Sequence, residues 1–168
     1  MAGLEGTRPE YWHTLDFVVV NKYNLEEIDR AMSLGLPELF QESFPDRKKT
    51  AERMREDFYN YAKSKYGFSL FVYEGNRIIG MGRGRRLESE KKMSDFFLAN
   101  GVDPTKYFYL STFGVNKDSR GKGIGTKMID ICCAFTPKEF IPLIGVADYN
   151  TEALKLYQKV GFSSLPFT

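Results

Sequence analysis

The segment that most restricts what this chain can fold into runs from residue 106 to residue 135. It opens with an aromatic and β-branched run, K-Y-F-Y-L-S-T-F-G-V, which reads as a strand ending at Val115. A turn follows at once, N-K-D-S-R-G-K-G-I-G, with glycines at 121, 123 and 125. Residues 126–135 then repeat apolar side chains at helical spacing, giving a core face of Ile124, Met128, Ile131, Cys132 and Phe135 before Pro137 ends the helix. In such a turn glycine reaches conformations closed to residues with a Cβ, so consecutive amide N–H groups can point inward. The start of the next helix adds orphan N–H donors and a partial positive charge. A phosphate or pyrophosphate can be held there largely by backbone, with Arg120 and Lys122 adding charge at the rim.

Taken alone, the turn leaves several readings open: a tight connection, a dinucleotide loop or another phosphate site. Against the dinucleotide reading, Thr126 stands where the third fingerprint glycine belongs, and no acidic ribose ligand follows about 20 residues on. A Walker loop is excluded, because no G-K-[ST] ending occurs with four residues between its glycines.

The remaining elements fit the same architecture. Leu15–Val20 reads as a strand, and Asn24 as the cap of a helix carrying Leu25, Ile28 and Met32, which stops near Gly35 and Pro37. Asp46 is the expected cap of a second helix, with Met54, Phe58 and Tyr61 as its core face. Residues 69–73 and 77–84, joined by Glu74-Gly75-Asn76, predict a β-hairpin. Residues 89–100 predict a helix with Met93, Phe96 and Phe97 as its apolar stripe. Residues 141–147 predict a strand and 151–160 a last helix. The order β-α-α-β-β-α-β-α-β-α describes an α/β fold, one domain over residues 1–168, with right-handed crossovers between parallel strands.

Composition narrows the function. Across 168 residues the net charge is +2, with 24 basic and 22 acidic side chains, which argues against a nucleic-acid partner. The basic run at Arg83, Arg85 and Arg86 reads as a solvated strand end. One histidine, His13, and the adjacent pair Cys132 and Cys133 provide too few ligands for a zinc site, and His13, the one candidate base for a His-dependent triad, lies in the N-terminal lead-in, which argues against such a triad. Neighbouring cysteines on a helix point apart, so they read as free thiols suited to a reducing compartment. No stretch nears the roughly 20 apolar residues of a membrane span, and the first eleven residues lack a signal peptide's apolar core. A cytoplasmic protein without a membrane partner is the expectation.

Two motifs in register then carry a family resemblance. R-G-K-G-I-G at 120–125, after a strand ending in Val115, resembles the [QR]-x-x-G-x-[GA] coenzyme A motif of the GNAT superfamily of N-acyltransferases. One strand later, N-T-E-A-L-K-L-Y-Q-K-V-G-F at 150–162 is similar to that superfamily's N-x-x-A-x-x-[LF]-Y-x-K-x-G-F segment, position for position. The resemblance implies a mixed sheet whose central parallel strands splay apart, flanked by helices. It implies acetyl-CoA as co-substrate, with Phe113 and Val115 offering backbone hydrogen bonds to the pantetheine arm. The amides of Arg120, Gly121, Lys122, Gly123, Ile124, Gly125 and Thr126 would hold the pyrophosphate, and Asn150 would meet the cofactor arm where the strands part. Tyr157 would stand beside the thioester sulfur, and Gly114 would suit a strand bulge. The implied reaction is direct attack of a primary amine, on a small molecule or a peptide, in a ternary complex. The alternative is a non-catalytic coenzyme-A-binding or regulatory domain on the same fold.

The sequence also departs from the family pattern. Many relatives place a carboxylate on the strand before the phosphate loop, whereas residues 107–112 contain none. Asp148, Glu152 or a water held by Ser111 or Tyr109 are the candidates for the base. Relatives usually continue past G-F into another strand, which here is short, absent or supplied by a second subunit, as in a homodimer. The predicted helix at 89–100 lies where relatives often have a hairpin, and would cover or line the acceptor side. The aromatic-rich helices before Phe68 are expected to shape the acceptor pocket.

Overall fold

In a computed structural model of the chain, residues 13–147 and 149–166 are described. Five strands form one sheet in the order of the chain: β1 (Leu15–Val20), β2 (Phe68–Glu74), β3 (Arg77–Arg86), β4 (Tyr107–Val115) and β5 (Ile141–Ile144). The first four pair antiparallel, and β4 with β5 is the parallel pair. Helices α1 (Glu26–Ser33), α2 (Leu36–Ser43) and α3 (Ala51–Lys63) lie between β1 and β2. Helix α4 (Lys91–Ala99) precedes β4, α5 (Ile124–Phe135) joins β4 to β5, and α6 (Thr151–Lys159) follows β5.

Helices cover the sheet on both faces, which makes β2 buried over nearly its whole length. On one face Phe71, Tyr73 and Met81 pack with Ile28, Phe40 and Phe58 of α1, α2 and α3. On the other, Leu70, Val72, Ile79, Phe108 and Leu110 pack with Ile124, Met128 and Cys132 of α5. The glycines of β3 make that second layer possible. A Cβ at Gly82 would lie 2.9 Å from the Phe113 ring, and one at Gly84 2.8 Å from both Phe108 and Leu110.

Several expectations about helix ends are corrected. Gly35 and Pro37 do not end the helical stretch; they begin α2, where proline at a first-turn position sacrifices only an N–H that lacks an intrahelical acceptor. Three helices therefore stand between β1 and β2, not two. Asn24 does not cap α1. Its Oδ1 accepts from the Asn21 amide at 2.8 Å and its Nδ2 donates to the Val19 carbonyl at 3.1 Å, tying off the end of β1. Thr50, not Asp46, caps α3, accepting from the Arg53 amide at 3.1 Å. Strand β5 stops at Ile144, short of the predicted 147. Phe135 and Phe96 are exposed, so neither belongs to the core face of its helix. The basic end of β3 is not a solvated face either: Arg83 is buried and Arg85 and Arg86 are half-buried. No helix among the described residues is long and apolar enough to cross a membrane.

Candidate active site

Strands β4 and β5 part company halfway along β4. Their pairing runs from Tyr107 opposite Ile141 to Leu110 opposite Ile144 and goes no further, although β4 continues to Val115. At the same place β4 carries a bulge against β3. Ser111 faces Arg83 and Gly114 faces Met81, so Thr112 and Phe113 together oppose Gly82. Thr112 takes φ of +59°, a left-handed conformation that a β-branched residue rarely occupies. The extra residue turns the strand over: Ser111 reaches towards α3, while Phe113 packs on the α5 side. Gly114, expected at the bulge, lies just beyond it and serves a close approach instead. A Cβ there would lie 2.4 Å from Ser43 Oγ and 2.7 Å from Met81 Cε.

The gap opens into a cavity of about 680 Å³. Of the ten cofactor-side residues indicated by the sequence, nine line it: Phe113, Val115, Arg120, Gly121, Gly123, Ile124, Gly125, Thr126 and Asn150. Tyr157 lines it as well. Lys122 does not; it is exposed at the rim. Glu42 and Ser43 of α2, and Phe44 just after it, join from the opposite face of the sheet, so the cavity passes between the splayed strands.

Backbone donors dominate its floor. Gly121 and Gly123 have φ of +75° and +78°, and Gly123 stands as the residue before α5. The amides of Gly121, Gly123, Ile124, Gly125 and Thr126 find no acceptor among the described residues. Unbonded N–H groups at the positive end of a helix dipole make an anion cradle. The loop is held from both sides. Glu42 accepts from Asn116 Nδ2 and from the Lys117 amide, both at 3.1 Å, and Arg120 Nε donates to the Val115 carbonyl at 3.0 Å. Asn150 caps α6 through Oδ1, accepting from the Ala153 amide at 3.1 Å.

Tyr157 is common to this cavity and to a second one of about 670 Å³. Burial, and then the neighbouring Tyr109 phenol, push the Tyr157 hydroxyl up to about 12, so it stays protonated at any physiological pH. The second cavity is walled by Met93, Phe96 and Phe97 of α4, by Tyr107 and Tyr109, by β5 and by residues 160–165. None of its lining residues comes from the helices before Phe68. Tyr109 stands with its hydroxyl 3.0 Å from where a Cβ on Gly145 would be, at the mouth of the gap.

Sequence reasoning missed one group of side chains. Tyr61 of α3 donates its hydroxyl hydrogen to Glu90, which immediately precedes α4, and Arg85 Nε and Nη2 donate to the same Glu90 oxygen at 3.0 and 2.8 Å. The Arg83 and Arg85 guanidiniums each lie 4.1 Å from the Tyr61 ring centre. Arg83 Nε and Nη1 are buried and find no hydrogen-bond partner among the described residues. Burial pushes the Tyr61 hydroxyl up to about 12 against the opposing pull of Arg83. The R-G-R-R run was the visible trace of this group, but no spacing in the sequence ties it to Glu90. Asp148 lies outside the described residues, and Glu152 is exposed at the start of α6. Burial raises the Cys132 and Cys133 thiols, which makes neither a ready nucleophile. No group of three metal-ligating side chains occurs among the described residues.

Comparison with known proteins places this arrangement. The chain is similar in structure to the aminoglycoside N-acetyltransferase AAC(6')-Iy in complex with CoA, with a TM-score of 0.66 and 18% identity over 92% of this chain and 91% of that one. It is similar also to Arabidopsis thaliana NAA60 in complex with a bisubstrate analogue, at a TM-score of 0.58 and 22% identity over 89% and 85% of the two chains. A third likeness is to ribosomal-protein-alanine N-acetyltransferase from Brucella melitensis biovar Abortus 2308, at 0.60 and 14% over 92% and 96%. At these identities the likeness is one of fold. No curated protein matches the sequence. The model of the acetyltransferase (GNAT) family matches residues 34–162, which span both splayed strands, the glycine turn and Tyr157. The chain belongs to the GNAT acetyltransferase family.

Proposed function

We propose that the protein transfers an acetyl group from acetyl-CoA to a primary amine by direct attack in a ternary complex. The observation that carries the reading is the row of unbonded amides at Gly121 and Gly123–Thr126, opening into a cavity that ends at Tyr157. Those amides suit two linked phosphates, and Arg120 adds positive charge beside them. From there the pantetheine arm runs into the gap beyond Leu110 and Ile144, where the free side of β4 at Phe113 and Val115 offers it backbone groups as a neighbouring strand would. Asn150 meets the arm from the α6 side. The thioester then lies between Tyr157 and the bulge.

The chemistry asks for an amine that is neutral when it attacks, whereas a free alkylammonium titrates near 10.4. Holding both reactants in line supplies much of the rate. Tyr157 donates a hydrogen bond to the sulfur as the C–S bond breaks. Its raised pKa has two consequences: the phenol is always a donor, but it is a weaker acid than a thiol of ordinary pKa near 8.5. Stabilising the departing thiolate is therefore its main work, with the last proton drawn through it from water.

A thermal-shift titration with acetyl-CoA, followed by a thiol-release assay across a panel of amines, tests the reading. Saturable stabilisation by acetyl-CoA with amine-dependent release of free thiol is expected. Binding without turnover of any amine would favour the non-catalytic alternative. Preference for NAD or ATP over acetyl-CoA would overturn both.

A further inference from the structure

The carboxylate missing from β4 has a counterpart elsewhere in the fold. Ser111 is the first residue of β4 beyond its last pair with β5, on the same side of the sheet as Tyr109. Its Oγ donates to Tyr61 Oη at 3.3 Å, and Tyr61 Oη donates in turn to Glu90 Oε1. Two hydroxyls and a carboxylate, from β4, α3 and the residue before α4, thus form one line of hydrogen bonds that ends on Glu90. Charged and titratable groups face Glu90 from each neighbouring element: Arg83 and Arg85 from β3, Tyr61 from α3 and Tyr109 from β4. Glu90 Oε1 is the acceptor for all three hydrogen bonds that reach it, from Tyr61 Oη and from Arg85 Nε and Nη2.

On the acetyl-transfer reading above, we infer that Ser111, Tyr61 and Glu90 form the proton relay that takes the acceptor nitrogen's proton out of the site. As the N–C bond forms, the nitrogen becomes positively charged and far more acidic than the free ammonium. Its proton passes to Ser111 Oγ, the Ser111 hydroxyl proton to Tyr61 Oη, and the Tyr61 proton to Glu90. The C–S bond breaks, the thiolate leaves against Tyr157 and takes up a proton drawn from water, and Glu90 later returns its own to solvent. Amine and acetyl-CoA have become amide and free coenzyme A, with the protein restored. In this scheme Ser111, at the point where β4 leaves β5, is the group that meets the reacting nitrogen, and Tyr61 and Glu90 act through it. The buried Arg83 has a use in this scheme. A cation against the Tyr61 ring steadies negative charge moving along the line, which accounts for a buried guanidinium with two nitrogens that find no partner among the described residues.

The test uses the full-length protein with acetyl-CoA and the amine that the thiol-release panel ranks first. Tyr61→Phe keeps the ring against Arg83 and removes only the hydroxyl, while Glu90→Gln removes the terminal acceptor. Each is expected to lower kcat at pH 7 by at least tenfold while acetyl-CoA affinity and melting temperature stay near those of the wild type. In Glu90→Gln the plateau of kcat against pH should give way to a steady rise with hydroxide. The proton inventory in mixed H2O and D2O should fall from several protons in flight to one in Tyr61→Phe. Wild-type kcat, pH profile and isotope effect in Tyr61→Phe would overturn the relay and leave acetyl transfer standing. Should Glu90→Gln melt early, Tyr61→Phe alone decides by the same readouts. A wild-type protein that turns over no amine overturns both readings.

Discussion

Tyr157 sits on a helix that buries none of its residues, yet its own ring is half-buried between two cavities. That placement separates its two contributions, packing through the ring and hydrogen bonding through the hydroxyl. Tyr157→Phe keeps the first and deletes the second. We expect kcat to fall by roughly 10²-fold, the scale of one lost donor to a developing charge, with acetyl-CoA affinity changed far less. Steady-state kinetics beside calorimetric binding would check this, and equal losses in both would refute the donor role. Gly67 poses a problem of space. It lies in the turn between α3 and β2, and a Cβ there would stand 2.0 Å from the Tyr61 carbonyl oxygen, a backbone atom that cannot swing aside. Gly67→Ala should cost about 2 kcal/mol or more, as overpacking does, and lower the melting temperature by roughly 5 °C. A melting curve indistinguishable from the wild type would show that the turn relaxes freely.

At the scale of elements, the glycine turn and α5 act as one unit. Gly123 precedes the helix at a positive φ that a β-branched side chain resists, and its neighbours offer their amides to the cavity. Gly123→Val should weaken acetyl-CoA binding by at least about tenfold through both strain and occupied space, with the fold retained by circular dichroism. Unchanged affinity would refute the cradle. This unit was legible in the sequence because its chemistry is local: the strand, the glycines and the helix start are consecutive, and the N-x-x-A segment repeats the same economy at α6. The helix ends were harder. Gly35 and Pro37 can close one helix or open another, and only the packing of Leu36, Leu39 and Phe40 into the core decides for α2. The line from Ser111 through Tyr61 to Glu90 was out of reach for a different reason. Its members stand 50 and 29 residues apart, and a tertiary hydrogen bond leaves no period in the chain.

For the molecule as a whole, burial of phenols sets a limit on alkaline stability. Tyr61, Tyr73 and Tyr157 are each pushed up to about 12, with burial the largest cause. An unfolded phenol titrates near 10. Between pH 10 and pH 12 the unfolded chain therefore releases protons that the folded chain keeps, so stability falls as pH rises through that window. Below pH 10 these groups are neutral in both states and add no slope. Thermal melts at pH 9 and pH 11 should differ, and Tyr73→Phe, which deletes a buried hydroxyl that has no partner among the described residues, should narrow the difference. Equal melts at the two pH values would exclude the effect.

Helix α6 has one more consequence. None of its residues is fully buried, and Ala153, Leu156 and Tyr157 line the cavity on its inner side. Whatever fills that space becomes, for as long as it stays, part of the molecule's interior. Backbone amides of residues 153–159 should exchange with deuterium quickly in the ligand-free protein and slow markedly once acetyl-CoA is added, while β2 remains protected throughout. The tail of the chain is then finished by what it carries, and an empty protein melts from that end first.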